Sequence, residues 1–166
     1  MISTAQIIKT LDLLDRLYLE NRSNENALLY SKLAVLELCG WIEEAMDDVV
    51  QQSCKRKIND ERFKREVDQF IKNTYGFEYQ KHFRTMLVQV IGYSNFAKLE
   101  KKIDALKLEQ FLSALANLKT FRHQLAHTHF KGVTVQIPAP SVTKSNFVFS
   151  SAGIREFDTA MRKLRF

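Results

Sequence analysis

The chain has 166 residues, a length that suits a single domain with one buried core. Hydrophobic residues make up 45% of the sequence, which argues against a disordered chain, and a supply of only 5 Gly and 2 Pro favours long helices over a many-stranded sheet. The net charge of +6 fits a polyanionic partner, such as nucleic acid or an anionic membrane face, and fits plain solubility equally well.

The cysteines and the apolar runs exclude several further classes of protein. Cys39 and Cys54 do not form a Cys-x-x-Cys pair, so we expect neither a zinc knuckle nor a disulfide framework. Asp12 and Asp15 interrupt the N-terminal apolar residues, which is not the pattern of a signal peptide. No apolar run approaches the ~18 residues that a membrane helix needs. We therefore expect a cytoplasmic protein with no membrane contact.

The first third of the chain carries two helical patterns. Apolar residues recur at spacings of four, three and four at Ile7, Leu11, Leu14 and Tyr18. This pattern predicts a first helix that begins near Ser3. Residues 27–53 carry the longest periodic segment, and because LAVLELCGWI within it is apolar nearly all round, we predict a central helix there. Gly40 within that segment suggests the close approach of a neighbouring helix. Glu37 has two interpretations, an exposed helix edge or a buried carboxylate paired with an arginine.

The middle of the chain predicts further helices separated by short connections. Residues 53–66 are a charged connection, within which Asp60 is expected to cap a helix that ends near residues 75–76. A helix is predicted through residues 83–91, followed by a turn and a basic helix over 92–104. Apolar residues then recur at spacings of three and four at Leu108, Phe111, Leu112, Leu115, Leu118 and Phe121.

The character of the sequence changes after residue 132. The alternating stretch VTVQI, residues 133–137, is β-prone, PAPSVTKSN reads as irregular, and FVF, residues 147–149, suggests a short strand. Two such short pieces cannot form an independent sheet, so we expect a hairpin or extended arm. A final helix is predicted over residues 152–164. The sequence thus predicts one all-α domain over 1–166, a helical bundle with a short β-prone arm before the C-terminal helix.

Ionisable residues concentrate at the end of the predicted helix, in FRHQLAHTHF at residues 121–130. His123 and His127 lie four apart, as zinc ligands on a helix do, with His129 as a third ligand. However, Gln124 replaces the glutamate that a metalloprotease uses as its base. Alternatively, His and Arg near a helix C-terminus simply interact favourably with the helix dipole.

A third interpretation is metal-free chemistry on RNA, which carries its own nucleophile, the 2′-hydroxyl. Cleavage needs a base for that hydroxyl, an acid for the leaving 5′-oxygen and a cation for the charge on the phosphate. Histidine titrates near neutral pH and serves either proton role, while arginine stays charged and grips two phosphate oxygens. The stretch RHQLAH contains these parts.

The same residues resemble the HEPN superfamily, whose signature is Arg, four to six residues and then His in an all-α bundle. Arg122 and His127 fit this Arg-x4-His motif, and the upstream LAVLELCGWIEEAMDDVV is similar to the long early helix of HEPN domains in phage defence and RNA metabolism. The resemblance implies a metal-independent endoribonuclease without a cofactor, acting as a toxin or antiphage-defence effector. Arg122 would grip the phosphate and His127 would be the acid/base.

Two positions depart from the usual HEPN pattern. His123 stands where the family commonly has Asn, which leaves open a share of the acid/base role for His123. A related branch has Tyr two residues after the motif histidine, as the target of nucleotide modification by an antitoxin, whereas this chain has His129. The resemblance also implies a homodimer and a different antitoxin or defence-system partner. Dimerisation would help, because residues five apart on a helix point roughly 140° apart.

Basic side chains elsewhere are candidates for contacts with the RNA backbone. They are Lys55, Arg56, Lys57, Lys98, Lys101 and Lys102. For any single one of them we favour an ordinary solvated charge. Glu37 and His129 are candidate supporting residues. A different functional class also stays open, namely a non-catalytic helical module that binds nucleotide, RNA or a partner protein.

Overall fold

The computed structural model describes residues 3–23, 25–126 and 137–164. Over these ranges the chain forms helices joined by turns, and no strand occurs among the described residues, so the prediction of an all-α bundle is confirmed. A π-helical turn, Tyr79–Phe83, leads directly into the fourth helix. The α-helices are α1 Ala5–Glu20, α2 Asn26–Lys57, α3 Glu61–Lys72, α4 Arg84–Glu100, α5 Ala105–Ala126 and α6 Pro140–Lys163.

Helix α2 is the centre of the bundle, as its apolar sequence predicts. It contacts each of the other five described helices. Leu38, Ile42 and Met46 are completely buried along it. Each such side chain contributes about 1.5–3 kcal/mol by leaving water. The other helices therefore arrange themselves around α2, and any polar side chain on its surface is placed with respect to all of them.

The π-helical turn is anchored in the core by aromatic packing. The Phe83 ring lies 5.2 Å from the Phe157 ring of α6 and 6.4 Å from the Phe111 ring of α5, both edge-on. Tyr79 lies 5.7 Å from Phe157, and its hydroxyl donates a hydrogen bond of 2.8 Å to Glu100. Edge-to-face aromatic pairs add about 0.5–1.5 kcal/mol beyond area burial. This aromatic cluster holds the segment before α4 against α5 and α6.

Helix α2 extends further than predicted, and α3 begins where it was expected. Residues 53–57 belong to α2 and not to a connection, because Ser53 and Cys54 are buried and the Ser53 hydroxyl donates to the Val49 carbonyl at 2.7 Å. Asp60 caps α3, accepting a hydrogen bond from the Arg62 amide at 2.8 Å, so the predicted cap is confirmed.

The predicted β-prone arm is wrong where the structure describes it. FVF at 147–149 lies inside α6, which begins at Pro140 and not near residue 152. Proline at the first helical position has its φ angle pre-set for the helix and no amide hydrogen to leave unpaired. The helical repeat was hidden because its buried positions include polar Thr143, Asn146 and Ser150. Of the VTVQI stretch, residues 133–136 lie outside the described residues.

Two expectations about α2 have opposite outcomes. Gly40 is exposed and nothing lies within 4 Å of a Cβ added there, so the expected close helix approach at Gly40 is wrong. Close approach occurs instead at Gly153 of α6, where an added Cβ would lie 2.4 Å from Cγ of Phe111. Glu37 is exposed, which confirms the helix-edge interpretation and contradicts a buried pair with arginine.

No helix in the described parts of the chain combines the length and the apolar character needed to cross a bilayer.

Two glycine substitutions test this packing. Gly153→Ala drives a methyl group into Phe111, and such overpacking costs about 1–3 kcal/mol of the free energy of unfolding. Gly40→Ala adds a methyl group in open space and is expected to stabilise by about 0.5–1 kcal/mol. Denaturant unfolding of the two variants measures both changes, and stabilisation by Gly153→Ala would contradict the close contact between α5 and α6.

Candidate functional site

A cavity of about 660 Å³ lies between the C-terminal part of α5 and the segment from Tyr75 to the π-helical turn. Its size falls within the range of small-molecule sites. Two of the predicted catalytic residues, Arg122 and His123, both line it. The lining residues are Tyr75, Gly76, Phe77, Glu78, His82, Lys119, Thr120, Arg122, His123 and Gln124.

Helix α5 presents its polar residues to the cavity because of their spacing. Lys119 is three residues before Arg122 and four before His123, so the three lie on one side of the helix. Leu118 and Leu125 of the same helix are buried in the core. The apolar positions thus fix the rotation of α5, and that rotation directs the basic positions to the cavity.

Arg122 lies between a carboxylate and an aromatic ring. Its Nη1 is 2.6 Å from Oε1 of Glu43 on α2, and its guanidinium carbon is 5.6 Å from the centre of the buried Phe77 ring. Opposite charge and the π face both favour a fixed guanidinium. The pair joins α5 to α2 at this point. Arginine has five N–H donors, so Arg122 can contact a phosphate through donors that Glu43 does not take.

An acidic strip of α2 lies behind Arg122, and burial controls its protonation. Burial raises the pKa of Glu43, and the nearby Arg122 charge only partly opposes this. Burial, with repulsion from Glu43 and Glu44, raises the pKa of Asp47 to about 6. Sequence reasoning placed Glu43 and Asp47 on one line of α2 but gave them no role. The sequence signal that could have identified them is that leucines occupy the first part of this helix line and acidic residues the last part.

Residues 75–78, just before the π-helical turn, form one rim of the cavity and are called the rim segment. Ion pairs of Glu78 hold this segment and connect it to α5. The Lys119 ammonium donates to Glu78 Oε2 at 2.7 Å, and Lys81 lies 3.8 Å from Oε1. The hydrogen bond from Lys119 lowers the pKa of Glu78, so the carboxylate is charged at neutral pH. Exposed pairs of this kind contribute little stability, but they position the rim segment beside the basic face of α5.

His82, which has no role in the sequence interpretation, also lines the cavity. Its Nδ1 accepts a hydrogen bond from the Glu78 backbone amide at 3.0 Å. Gly76 has a φ of +119°, a left-handed value that favours glycine, and an added Cβ there would lie 2.7 Å from Cε1 of His82. Burial lowers the pKa of His82. No sequence signal marks a contact that depends on one backbone angle six residues away.

Tyr75 is an exposed aromatic side chain on the cavity lining. It is 81% exposed, the highest value among the exposed large hydrophobic side chains of the described chain. An exposed aromatic ring on the lining of a cavity that also carries Lys119 and Arg122 matches the arrangement on which nucleic-acid bases stack.

The remaining candidate residues lie elsewhere. Lys55, Arg56 and Lys57 end α2, while Lys98, Lys101 and Lys102 end α4 or follow it, and none of the six lines the cavity. Arg56 lies 3.5 Å from Asp158, and Lys57 donates to the Leu164 carbonyl. Glu37 lines a different groove, between α1 and α2. His127 and His129 lie outside the described residues, immediately after α5.

The geometry within the described ranges brings no three His, Cys, Asp or Glu side chains together as a metal-binding group. The proposed third ligand, His129, falls outside those ranges. Cys39, near Arg122, is buried, and burial raises the pKa of its thiol to about 12, so it stays protonated.

The raised pKa of Asp47 predicts a pH dependence of stability. Its stabilising contribution is complete below the ordinary pKa of 3.8 and is lost as pH rises through about 6, where the buried group must ionise beside Glu43. Asp47→Asn should therefore melt above the unsubstituted protein at pH 8, and the difference should shrink towards pH 4. The control is Glu66→Gln, an exposed position on α3. A difference that does not change between pH 4 and 8 would contradict this assignment.

Comparison with known proteins gives no relative for this chain: no protein-family model, no curated protein and no solved structure matches it.

Proposed function

We propose that this chain is a HEPN-like, metal-independent endoribonuclease that works as a homodimer in the cytoplasm, as a toxin or antiphage-defence effector. The observation that carries the proposal is that Arg122 of the Arg-x4-His motif lines a cavity of nucleotide size together with Lys119, His82 and His123. Such a cavity combines positive charge with groups that donate hydrogen bonds to phosphate.

The proposed reaction forms one bond and breaks one. The 2′-oxygen attacks the adjacent phosphorus, a base takes the 2′-hydroxyl proton, and the phosphorus–oxygen bond to the 5′-oxygen breaks as an acid protonates the leaving oxygen. The products carry a 2′,3′-cyclic phosphate and a 5′-hydroxyl. Arg122 stabilises the charge on the phosphate oxygens. His127, by resemblance, carries a proton, and His123 is the nearby candidate for the second proton role.

The surroundings of Arg122 support its proposed role. Glu43 and the Phe77 ring hold the guanidinium in one place before any ligand arrives, which reduces the entropy that binding must cost. Because the guanidinium has N–H donors beside the one that faces Glu43, it can grip a phosphate while Glu43 keeps it in place. Lys119 adds a second positive charge on the same helix face.

The homodimer and the protein partner follow from the resemblance and from the position of the motif. In the sequence, His127 is the residue after the described end of α5 and is five residues after Arg122. By the resemblance, two copies of the motif face one another in the dimer, so that Arg122 of one chain works with His127 of the other. The exposed Lys98, Lys101 and Lys102 then remain candidates for contacts with RNA outside the cavity. An antitoxin or defence-system partner would restrain the activity.

The first prediction concerns Arg122 and metal. The protein should cut total RNA in excess EDTA and leave 2′,3′-cyclic phosphate ends. Arg122→Ala should lower the rate by about 10²–10³, as expected for the loss of one charge-stabilising donor, and Arg122→Lys should lie between. Arg62→Ala is the matched control, because Arg62 also lies over a phenylalanine ring, at 4.8 Å, but far from α5 on α3.

Because Arg122→Ala leaves Glu43 without its cation, the thermal midpoint is measured beside the rate, and the double variant with Glu43→Gln removes the orphaned carboxylate. Cleavage that stops in EDTA and returns with magnesium or zinc would contradict the mechanism. Tight RNA binding without cleavage would instead support the non-catalytic module.

The second prediction concerns Tyr75 as a surface for a nucleobase. Stacking of one base is worth about 1–3 kcal/mol, so Tyr75→Ala should weaken binding of a 2′-O-methyl oligonucleotide by roughly 5- to 150-fold, and Tyr75→Phe should leave it nearly unchanged. Tyr93→Ala is the control, since Tyr93 on α4 is 74% exposed but does not line the cavity. Equal losses for Tyr75→Ala and Tyr93→Ala in fluorescence anisotropy would rule out this contact.

A further inference from the structure

The ring of His82, on the cavity lining, is fixed by the backbone around it. The Glu78 amide donates to Nδ1 at 3.0 Å, while the ring also packs against the backbone of Gly76, where a Cβ would be only 2.7 Å from Cε1. The π-helical turn that carries His82 is itself anchored by Phe83 in the aromatic cluster. Segments of π-helix are rare and occur often at functional sites.

The hydrogen bond to Nδ1 determines which nitrogen carries the proton. A neutral imidazole has one nitrogen that donates and one that accepts. Because Nδ1 accepts from the Glu78 amide, the proton of neutral His82 is on Nε2. A second proton on Nδ1 would place it against the amide hydrogen, so the charged form would have to break this bond. His82 is thus a donor at Nε2, and it does not offer a free lone pair to act as a base.

The charges around His82 also act on its protonation. Lys81 on the same turn and Lys119 and Arg122 on α5 oppose a positive imidazole, as burial does, whereas Glu78 alone favours it. His123 on α5 and Tyr75 are the remaining titratable side chains of the cavity lining. The net effect lowers the pKa of His82 from 6.5, so His82 is neutral at pH 7.

We infer that His82 is a phosphate-binding residue, whose neutral Nε2–H donates to a non-bridging phosphate oxygen held by Arg122. It takes no part in the proton transfers of the reaction. A neutral donor adds a hydrogen bond without a further charge that would have to be neutralised. This role divides the histidines of the site: His82 binds, while His127 and His123 are left with the proton transfers. The identity of the ligand as an RNA phosphate rests on the proposed function.

Gly76 is needed for this position of the His82 ring. Any side chain there would strain the backbone at φ +119° and push the imidazole out of its place. Gly76→Ala should therefore mimic the loss of His82 without removing any polar group from the cavity. This separates the position of the ring from its mere presence.

The test combines side-chain NMR with binding. Long-range ¹H–¹⁵N spectra of the unsubstituted protein between pH 7 and 8 report the tautomer of each histidine. The probe is a 2′-O-methyl oligonucleotide, with inorganic phosphate as a second probe that lacks bases. We expect His82 to stay neutral with its proton on Nε2, and the Nε2 resonance to move when either probe binds.

The matching variants are His82→Ala, which removes the donor, and His82→Gln, whose side-chain amide restores a donor near the position of Nε2. We expect the dissociation constant of the oligonucleotide to rise about tenfold or more for His82→Ala, the loss of one hydrogen bond to a charged group. His82→Gln should recover most of that loss, and Gly76→Ala should resemble His82→Ala.

An Nδ1–H tautomer, a charged His82 at pH 7, or equal affinity of His82→Ala and the unsubstituted protein would overturn the inference. The NMR measurement uses the unsubstituted protein. An unfavourable NMR result therefore overturns the inference even where a variant folds poorly. Probe binding through His82 by a protein that cuts no RNA would refute the proposed nuclease and keep the phosphate site. Cleavage of RNA by the protein, with an unchanged affinity for His82→Ala, would keep the proposed nuclease and refute the phosphate-binding role of His82.

Discussion

The packing of Phe83 against Phe111 and Phe157 is the constraint on which the cavity depends. Phe83 closes the π-helical turn, and the two partner rings belong to α5 and α6. This contact places the turn, and the short segment before it, beside the basic face of α5. The close approach of α5 and α6 at Gly153 lets the Phe111 ring sit there. A residue buried in the core thus sets the geometry of a polar site that it does not touch.

A second connection joins the same site to the central helix. Glu43 of α2 lies against Arg122 of α5, and Phe77 supports the guanidinium from the rim segment. Helix α2 contacts each of the other described α-helices, so the contact with Glu43 positions Arg122 relative to the whole bundle. Binding chemistry in the cavity would then act on a preorganised cation, which is the condition for electrostatic stabilisation of a charged transition state.

The sequence predicts those features that depend on local pattern. The central helix, the Asp60 cap and the helix that carries Arg122 follow from spacing and residue type. The start of α6 was missed because polar Thr143 and Ser150 occupy buried positions, and the Ser150 hydroxyl donates to the Asn146 carbonyl at 2.7 Å. The roles of Glu43 and His82 were missed for a different reason. Both depend on contacts across tens of residues or on the φ of Gly76, which no local pattern encodes.

We propose that RNA binds in the cavity between α5 and the rim segment. Backbone amide NMR with a 2′-O-methyl oligonucleotide tests it most directly, because it reports the binding surface without cleavage and without a substitution. The account predicts the largest shifts at the Gly76, Phe77, Thr120 and Arg122 amides. Shifts concentrated at residues 55–57 or 98–102, with the cavity amides unchanged, would contradict it.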